Sequence, residues 1–262
     1  MKIIISSIYL AIFIINMSLF SFAEDTSNEG YNIATQYDYA NSRFVDYKVN
    51  VEMVLRTERG DESKRNMTIS VLENINDGDK SIIVFNSPRD QRGTALLSYS
   101  HKAEPDDQFL YLPAIKRVKR ITSKNKSGPF VGSEFSFEDI ITQDISKYNY
   151  NYIRKEACLS LECFVVDRYP LDKYTGYSKQ RVWFDVQNYW IIKIDYYDRK
   201  ESLLKTLVME EYRLYDDKWR SHFYQMTNHQ TGKITELSFA NYGFEIGFQD
   251  EDFSTNALKR IK

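Results

Sequence analysis

Enzyme chemistry has little to work with in this chain. Its 262 residues include three His and two Cys. His101, His222 and His229 have no carboxylate beside them in an H-E-x-x-H or related spacing, so nothing indicates a metal site. His222 and His229 lie seven apart on predicted strand sequence, which puts them on opposite faces of a regular strand. No G-x-S-x-G occurs. Two carboxylate pairs have bland readings. Asp106-Asp107 falls in a Pro-containing turn, and Glu138-Asp139 suits the start of a helical turn. The expectation is a protein that is not an enzyme, with no catalytic residue, cofactor or metal.

Excess positive charge is missing too. Lys plus Arg number 35 against 37 Asp plus Glu, which argues against a nucleic-acid partner. Gly (10) and Pro (5) are scarce for an all-β chain, implying long strands and few tight turns. After residue 20 no apolar run is long enough to span a bilayer. No internal repeat and no Gly, Pro or Ser-rich linker divides the chain.

The N-terminus is apolar. Residues 1–23 read as a secretory signal peptide, with Lys2 as the positive region, Ile3 to Phe20 as the apolar region and Ser21-Phe22-Ala23 as the small-x-small exit. The rival is an uncleaved anchor, and the Ser-Phe-Ala exit favours cleavage. No Cys lies at the cut to carry a lipid. Residues 24–262 are expected to form one soluble, exported domain. In an oxidising compartment Cys158 and Cys163 are most simply a disulfide. Their side chains would oppose on a straight strand, so residues 159–162 must turn the chain. A redox pair is the weaker reading, because the spacing is not C-x-x-C.

Periodicity then sets the fold class. A first helix is predicted from an N-cap at Asn28 to about Arg43, with Ile33, Ala34, Tyr37 and Ala40 near one face. Beyond it the period becomes two. Tyr47, Val49, Val51, Met53 and Leu55 alternate with polar residues broken only by Val54, and Met67, Ile69 and Val71 repeat the pattern after a turn at 59–62. Further strands are predicted at 80–86, 94–101, 107–112, 115–121, 148–157, 163–169, 178–186, 190–198, 203–214, 219–228 and 233–242, with a terminal helix from an N-cap at Ser254. The pattern indicates a mainly β chain, one antiparallel meander that curls. Its apolar face must be covered, by closure into a barrel or by helices.

Residues 107–139 hold the unusual chemistry. Lys116, Arg117, Lys119 and Arg120 put four cations in five positions. A strand would divide them between two faces. They read either as a solvated strand end, partly quenched by nearby acids, or as a docking point for phosphate headgroups, an anionic membrane or an acidic partner. Phe130 and Val131 lie between Gly128 and Gly132, and with Phe135 they read either as core or as a flap over an apolar opening.

These residues also carry a resemblance. Pro88-Arg89-Asp90-Gln91-Arg92-Gly93-Thr94-Ala95-Leu96-Leu97, then Asp107-Gln108-Phe109-Leu110-Tyr111-Leu112-Pro113-Ala114 and the basic cluster, then Gly132-Ser133-Glu134-Phe135-Ser136-Phe137-Glu138-Asp139, resemble the outer-membrane lipoprotein-sorting family of LolA/LolB-like fold, in its longer branch. The likeness continues through Cys158, Cys163, Trp183-Phe184-Asp185 and Lys205-Thr206-Leu207 to Phe253.

The resemblance implies an unclosed antiparallel β-barrel, lidded by helices, with an apolar cavity. It also implies a periplasmic role in carrying acyl chains of lipid or lipoprotein, with an inner-membrane exporter and an outer-membrane acceptor as partners. On that reading Tyr47, Val49, Val51, Met53, Leu55, Met67, Ile69 and Val71 line the cavity or form core, Phe130 and Phe135 belong to the flap, and the four cations meet headgroups or a partner. The rival functions are an exporter's accessory protein without lipid cargo and a lipid esterase.

Overall fold

The computed structural model describes residues 25–215 and 218–261, so the expected signal peptide lies outside the described residues. Thirteen strands follow a first helix α1 over 25–41. The first six are β1 (Asp46–Arg56), β2 (Glu62–Leu72), β3 (Lys80–Ser87), β4 (Ala95–Tyr99), β5 (Asp107–Leu112) and β6 (Arg117–Ile121). The other seven are β7 (Tyr148–Cys158), β8 (Leu161–Pro170), β9 (Tyr177–Asp185), β10 (Ile191–Asp198), β11 (Leu203–Tyr215), β12 (Lys218–Asn228) and β13 (Ile234–Phe244). Single turns of helix occur at α2 (Phe137–Ile140) and α3 (Thr255–Leu258). Ser254 caps α3 by accepting from the Ala257 N–H, as its sequence predicts.

All strands join one antiparallel sheet in the order β6-β5-β4-β3-β2-β1-β13-β12-β11-β10-β9-β8-β7. Two meanders therefore meet through β1 and β13, and β6 and β7 remain as edges. The curled sheet is an unclosed barrel, as expected, built from the thirteen predicted strands but as two meanders rather than one.

Alternation along the strands makes both faces useful. Val49, Val51 and Met53 of β1 join Met67, Phe85, Val166, Val182, Ile194, Leu207 and Met226 in one core on the concave face. Val54, the residue that broke the polar face of β1, is buried on the other side. There the C-terminal segment packs Phe253 and Leu258 against Ala95, Leu97 and Tyr111. Asp46 anchors that segment by accepting from the N–H groups of Ile246 (2.6 Å), Gly247 (2.9 Å) and Phe248 (3.0 Å). A third cluster, also on the convex face, holds Cys163, Val165, Trp183 and Ile192.

Helix α1 lies on the concave face. Ile33 and Ala34 are buried, Tyr31 meets Tyr150 edge-on at 5.8 Å, and Tyr37 packs on Phe184 at 5.7 Å. Gly30 permits this closeness, since a Cβ there would sit 2.9 Å from the Tyr152 backbone nitrogen. Asn28 lies inside the helix and does not cap it. Packing on β7 by the residues around Gly30 extends the helix past the local cap signal.

Two local features depend on left-handed residues. Leu159 (φ 51°) turns β7 into β8, and the Cys158–Cys163 disulfide spans the hairpin with Cα atoms 5.9 Å apart. Lys116 (φ 48°) ends the turn before β6 and so stands off the strand that the sequence assigned it to. That turn opens with Pro113 at its first position, which fixes the backbone and delays the strand to Arg117.

Candidate functional site

The concave face is closed over by a strap, residues 122–147, which crosses from the end of β6 to the start of β7. Its middle is a small hairpin. Pro129 bridges Ser136, and the Phe130 N–H donates to the Phe135 carbonyl at 2.7 Å. Val131 (φ 47°) and Gly132 (φ 76°) make the tip. The tight turn sends the rings inward. Phe130 is wholly buried, with Phe85 and Phe137 each 5.7 Å away, and Phe135 is buried beside it. The sequence left Phe130 open between core residue and exposed flap. In this structure it is a plug within the core cluster.

Polar groups fasten the strap to six strands. The Gln108 side chain on β5 donates to the Phe137 carbonyl at 2.9 Å, and Arg65 on β2 donates to the Val131 carbonyl. The Glu134 N–H donates to Thr235 on β13 at 3.0 Å, and the Glu134 carboxylate accepts from Asn228 on β12 at 2.6 Å. Lys205 on β11 donates to the Glu134 carbonyl at 2.9 Å and to the Asp139 carboxylate at 2.5 Å. Tyr177 on β9 donates to the other Asp139 oxygen at 2.8 Å. Ser136 and Asp139 form a capping box around α2. Glu138 accepts from the Thr175 hydroxyl at 2.7 Å and the Gly176 N–H at 2.9 Å, and burial pushes its carboxyl above the usual carboxylate range.

Beneath the strap the wall is layered. Strand register aligns Tyr150, Arg168, Gln180, Tyr196, Lys205 and Asn228 into one row across β7 to β12. The next row on the same face is Tyr152, Val166, Val182, Ile194, Leu207 and Met226. A polar stripe thus borders an apolar floor. Local periodicity does not mark this stripe, because it depends on register between strands. Its only signal is an arginine at an apolar-phase position, after Phe164 and Val166 on alternate residues.

The predicted lining residues do come together. Val49, Val51, Met53, Met67, Phe130 and Phe135 share the concave core, with Tyr47, Leu55 and Ile69 packed against it. Val71 is buried opposite Tyr47. Burial pushes the Tyr47 hydroxyl up to about 12. The basic residues lie apart from this cluster. Lys116, Arg117, Lys119 and Arg120 are all exposed at edge strand β6, where Arg120 pairs with Asp107. At one end of the sheet a cleft of about 380 Å³ is lined by Tyr39, Arg43, Trp190 and Trp219 among others.

His222 is buried, with its ring nitrogens 2.8 Å from the Phe239 carbonyl and 2.9 Å from the Tyr215 hydroxyl. It reads as a satisfied core histidine. Among the described residues no three His, Cys, Asp or Glu side chains cluster as metal ligands.

A family model described as an uncharacterized protein matches residues 77–260. No curated protein matches the chain. Similar solved structures include three that match nearly the whole chain. A domain from Vibrio parahaemolyticus assigned to outer-membrane lipoprotein sorting is 46% identical, with TM-score 0.87, covering 89% of this chain and 100% of its own. A DUF1329 family protein from Desulfovibrio piger ATCC 29098 is 28% identical, with TM-score 0.84, covering 89% of this chain and 99% of its own. A LolA superfamily protein from Nitrosomonas europaea, 19% identical with TM-score 0.71, covers 88% of this chain and 99% of its own and shares the fold. The 46% identity over nearly the whole length makes this chain a member of the outer-membrane lipoprotein-sorting family, and its unclosed sheet has the fold of the LolA superfamily protein.

Proposed function

We propose that the protein is a periplasmic carrier that takes the acyl chains of a lipid or lipoprotein onto its concave face and moves them towards the outer membrane. The observation that carries this is the strap. It covers a wide apolar face, yet its ties to the sheet are mostly side-chain hydrogen bonds and ion pairs. A neutral bond of this kind contributes only about 0.5–1.5 kcal/mol net and one to a charged group about 1.5–3 kcal/mol, because water replaces it. The strap can therefore lift while the strands stay paired. The assignment of the Vibrio parahaemolyticus relative to lipoprotein sorting supports the same reading.

On this reading Phe130 and Phe135 hold the place of hydrocarbon in the closed state. Tyr47, Val49, Val51, Met53, Leu55, Met67, Ile69 and Val71 form the wall that a chain meets when the plug leaves. Burying a sixteen-carbon chain is worth roughly 12 kcal/mol of gross transfer energy, at about 0.8 kcal/mol per methylene. Displacing the plug and ordering the ligand offset much of that. A near balance is what a carrier requires, since cargo must also leave.

Residues 1–23 act as the signal peptide in this scheme, leaving residues 24–262 as the carrier domain. The disulfide suits an oxidising compartment. Among the described residues no helix is long and apolar enough to cross a membrane. Native mass spectrometry of protein purified without detergent tests the proposal. Retained lipid, or uptake of added phospholipid or fatty acid, is expected. Spectra that stay empty after incubation with both overturn it.

A second reading, an accessory protein that docks on an exporter or acceptor, draws on β6. Among the described residues Lys116, Arg117 and Lys119 have no ion-pair partner. Charge on an edge strand also blocks unwanted sheet pairing. In an R117E/K119E variant, loss of lipid hand-over between donor and acceptor vesicles with uptake intact supports docking. Unchanged hand-over removes it.

A further inference from the structure

The polar stripe has two ends, and the strap neutralises one of them. Asp139 meets Lys205, and Glu134 meets Asn228. At the other end stands Arg168, between Tyr150 and Gln180 in the same row. Its Nε donates to Gln180 Oε1 at 2.7 Å, and its guanidinium lies 4.7 Å from the centre of the Tyr148 ring. Among the described residues its other N–H groups find no protein acceptor, and no carboxylate lies within ion-pair distance.

The surrounding charges do not compensate. Burial works against the guanidinium charge. The groups that act in its favour, for a net upward shift, are the hydroxyls of Tyr148, Tyr150, Tyr196 and Tyr37. Burial raises all four above the ordinary tyrosine range, so at neutral pH they carry no charge. Arg220, the other arginine acting on Tyr37, is placed differently. It donates to the Asn41 carbonyl at 3.3 Å, at the C-terminal end of α1, where the helix dipole supplies partial negative charge. Arg168 has no such counterpart. A part-buried cation without an anion costs stability, and a wall built only to pack hydrocarbon gains more from Met or Leu at that point.

Resting on the acyl-carrier reading, we propose that Arg168, oriented by Gln180, binds the oxyanion at the polar end of an acyl-chain ligand. The guanidinium offers the planar fork that carboxylates and phosphates fit. The neighbouring row, Val166, Val182, Ile194 and Leu207, supplies the track for the chain, so head and tail find adjacent surfaces. The same stripe already holds a carboxylate, Asp139, on Lys205. When the strap lifts, both cations of the row face the ligand.

The test compares four probes on the mature protein by titration calorimetry: palmitate, lysophosphatidic acid, neutral monopalmitoylglycerol and inorganic phosphate. The expected result is a preference of about tenfold or more for the anionic amphiphiles over the neutral one. In R168M that preference disappears while affinity for monopalmitoylglycerol holds, which also shows that the variant is folded. R168K keeps part of it. Palmitate against lysophosphatidic acid distinguishes a fatty-acid carboxylate from a phosphate headgroup, and competition by inorganic phosphate reports recognition of the headgroup without its chain. Loss of affinity for all amphiphiles alike in R168M, or an unchanged preference, overturns the subsite and leaves the carrier standing. Failure of every amphiphile to bind the wild type overturns the carrier reading itself.

Discussion

Lys205 Nζ lies 2.5 Å from Asp139 Oδ2, and the two side chains are only 5% and 3% exposed. This pair ties the strap to the middle of the sheet. A buried pair contributes little against an apolar replacement, but removing one partner strands the other charge. K205M is therefore expected to lower the unfolding free energy by about 3 kcal/mol or more, and a K205M/D139L double variant to recover much of it. Urea unfolding of the three proteins measures the coupling. Additive losses mean that the pair does not act as a unit.

Phe130 fills the centre of the concave core. Phe130→Ala should cost about 3–5 kcal/mol through the cavity it leaves. If the plug stands in for hydrocarbon, saturating palmitate should restore more stability to F130A than it adds to wild type. Thermal unfolding with and without palmitate reads the difference. Equal increments in the two proteins refute the substitution.

Asp79 gives a pH dependence. Burial raises its carboxyl to about 6, the Asn74 N–H acts the other way, and the acids Glu73 and Asp38 add to the rise. The folded value exceeds the ordinary one, so the fold favours the neutral acid. That contribution is complete below about pH 4 and is lost as pH rises through 6. D79N should thus match wild type near pH 4 and exceed it by up to about 3 kcal/mol at pH 7.5. Denaturant midpoints across that range provide the check, and a constant offset at both ends contradicts the assignment.

Gly30 offers a test of the helix seat. Alanine ordinarily gains about 1 kcal/mol over glycine inside a helix. Here its Cβ would lie 2.9 Å from the Tyr152 nitrogen, so α1 must move off β7. G30A is expected to be less stable than wild type, with faster amide exchange in α1. A more stable G30A means that the helix is not pressed on the strand.

Much of the fold was legible because strand alternation is local. Tyr47 to Leu55 announced a two-faced strand, and β1 bears it out, including the exception at Val54. The Cys158 and Cys163 spacing demanded a turn, and Leu159 makes it. Lys116 was misplaced because a left-handed residue inside a basic run leaves no mark in composition. Phe130 could not be decided in advance, since a Gly-bounded Phe suits a flap or a plug equally. Only the hairpin of residues 129–136 sends its ring inward.

The order of residues alone settled which side chains share a strand face, where turns interrupt, and that one apolar surface needs a cover, because these follow from a backbone whose side chains alternate every residue. Tertiary structure alone put Arg168 and Lys205 in one row and gave a carboxylate to the second only. Register between strands depends on the pairing of the whole sheet, and the strap's carboxylate reaches Lys205 from 66 residues away. No local pattern encodes such a meeting.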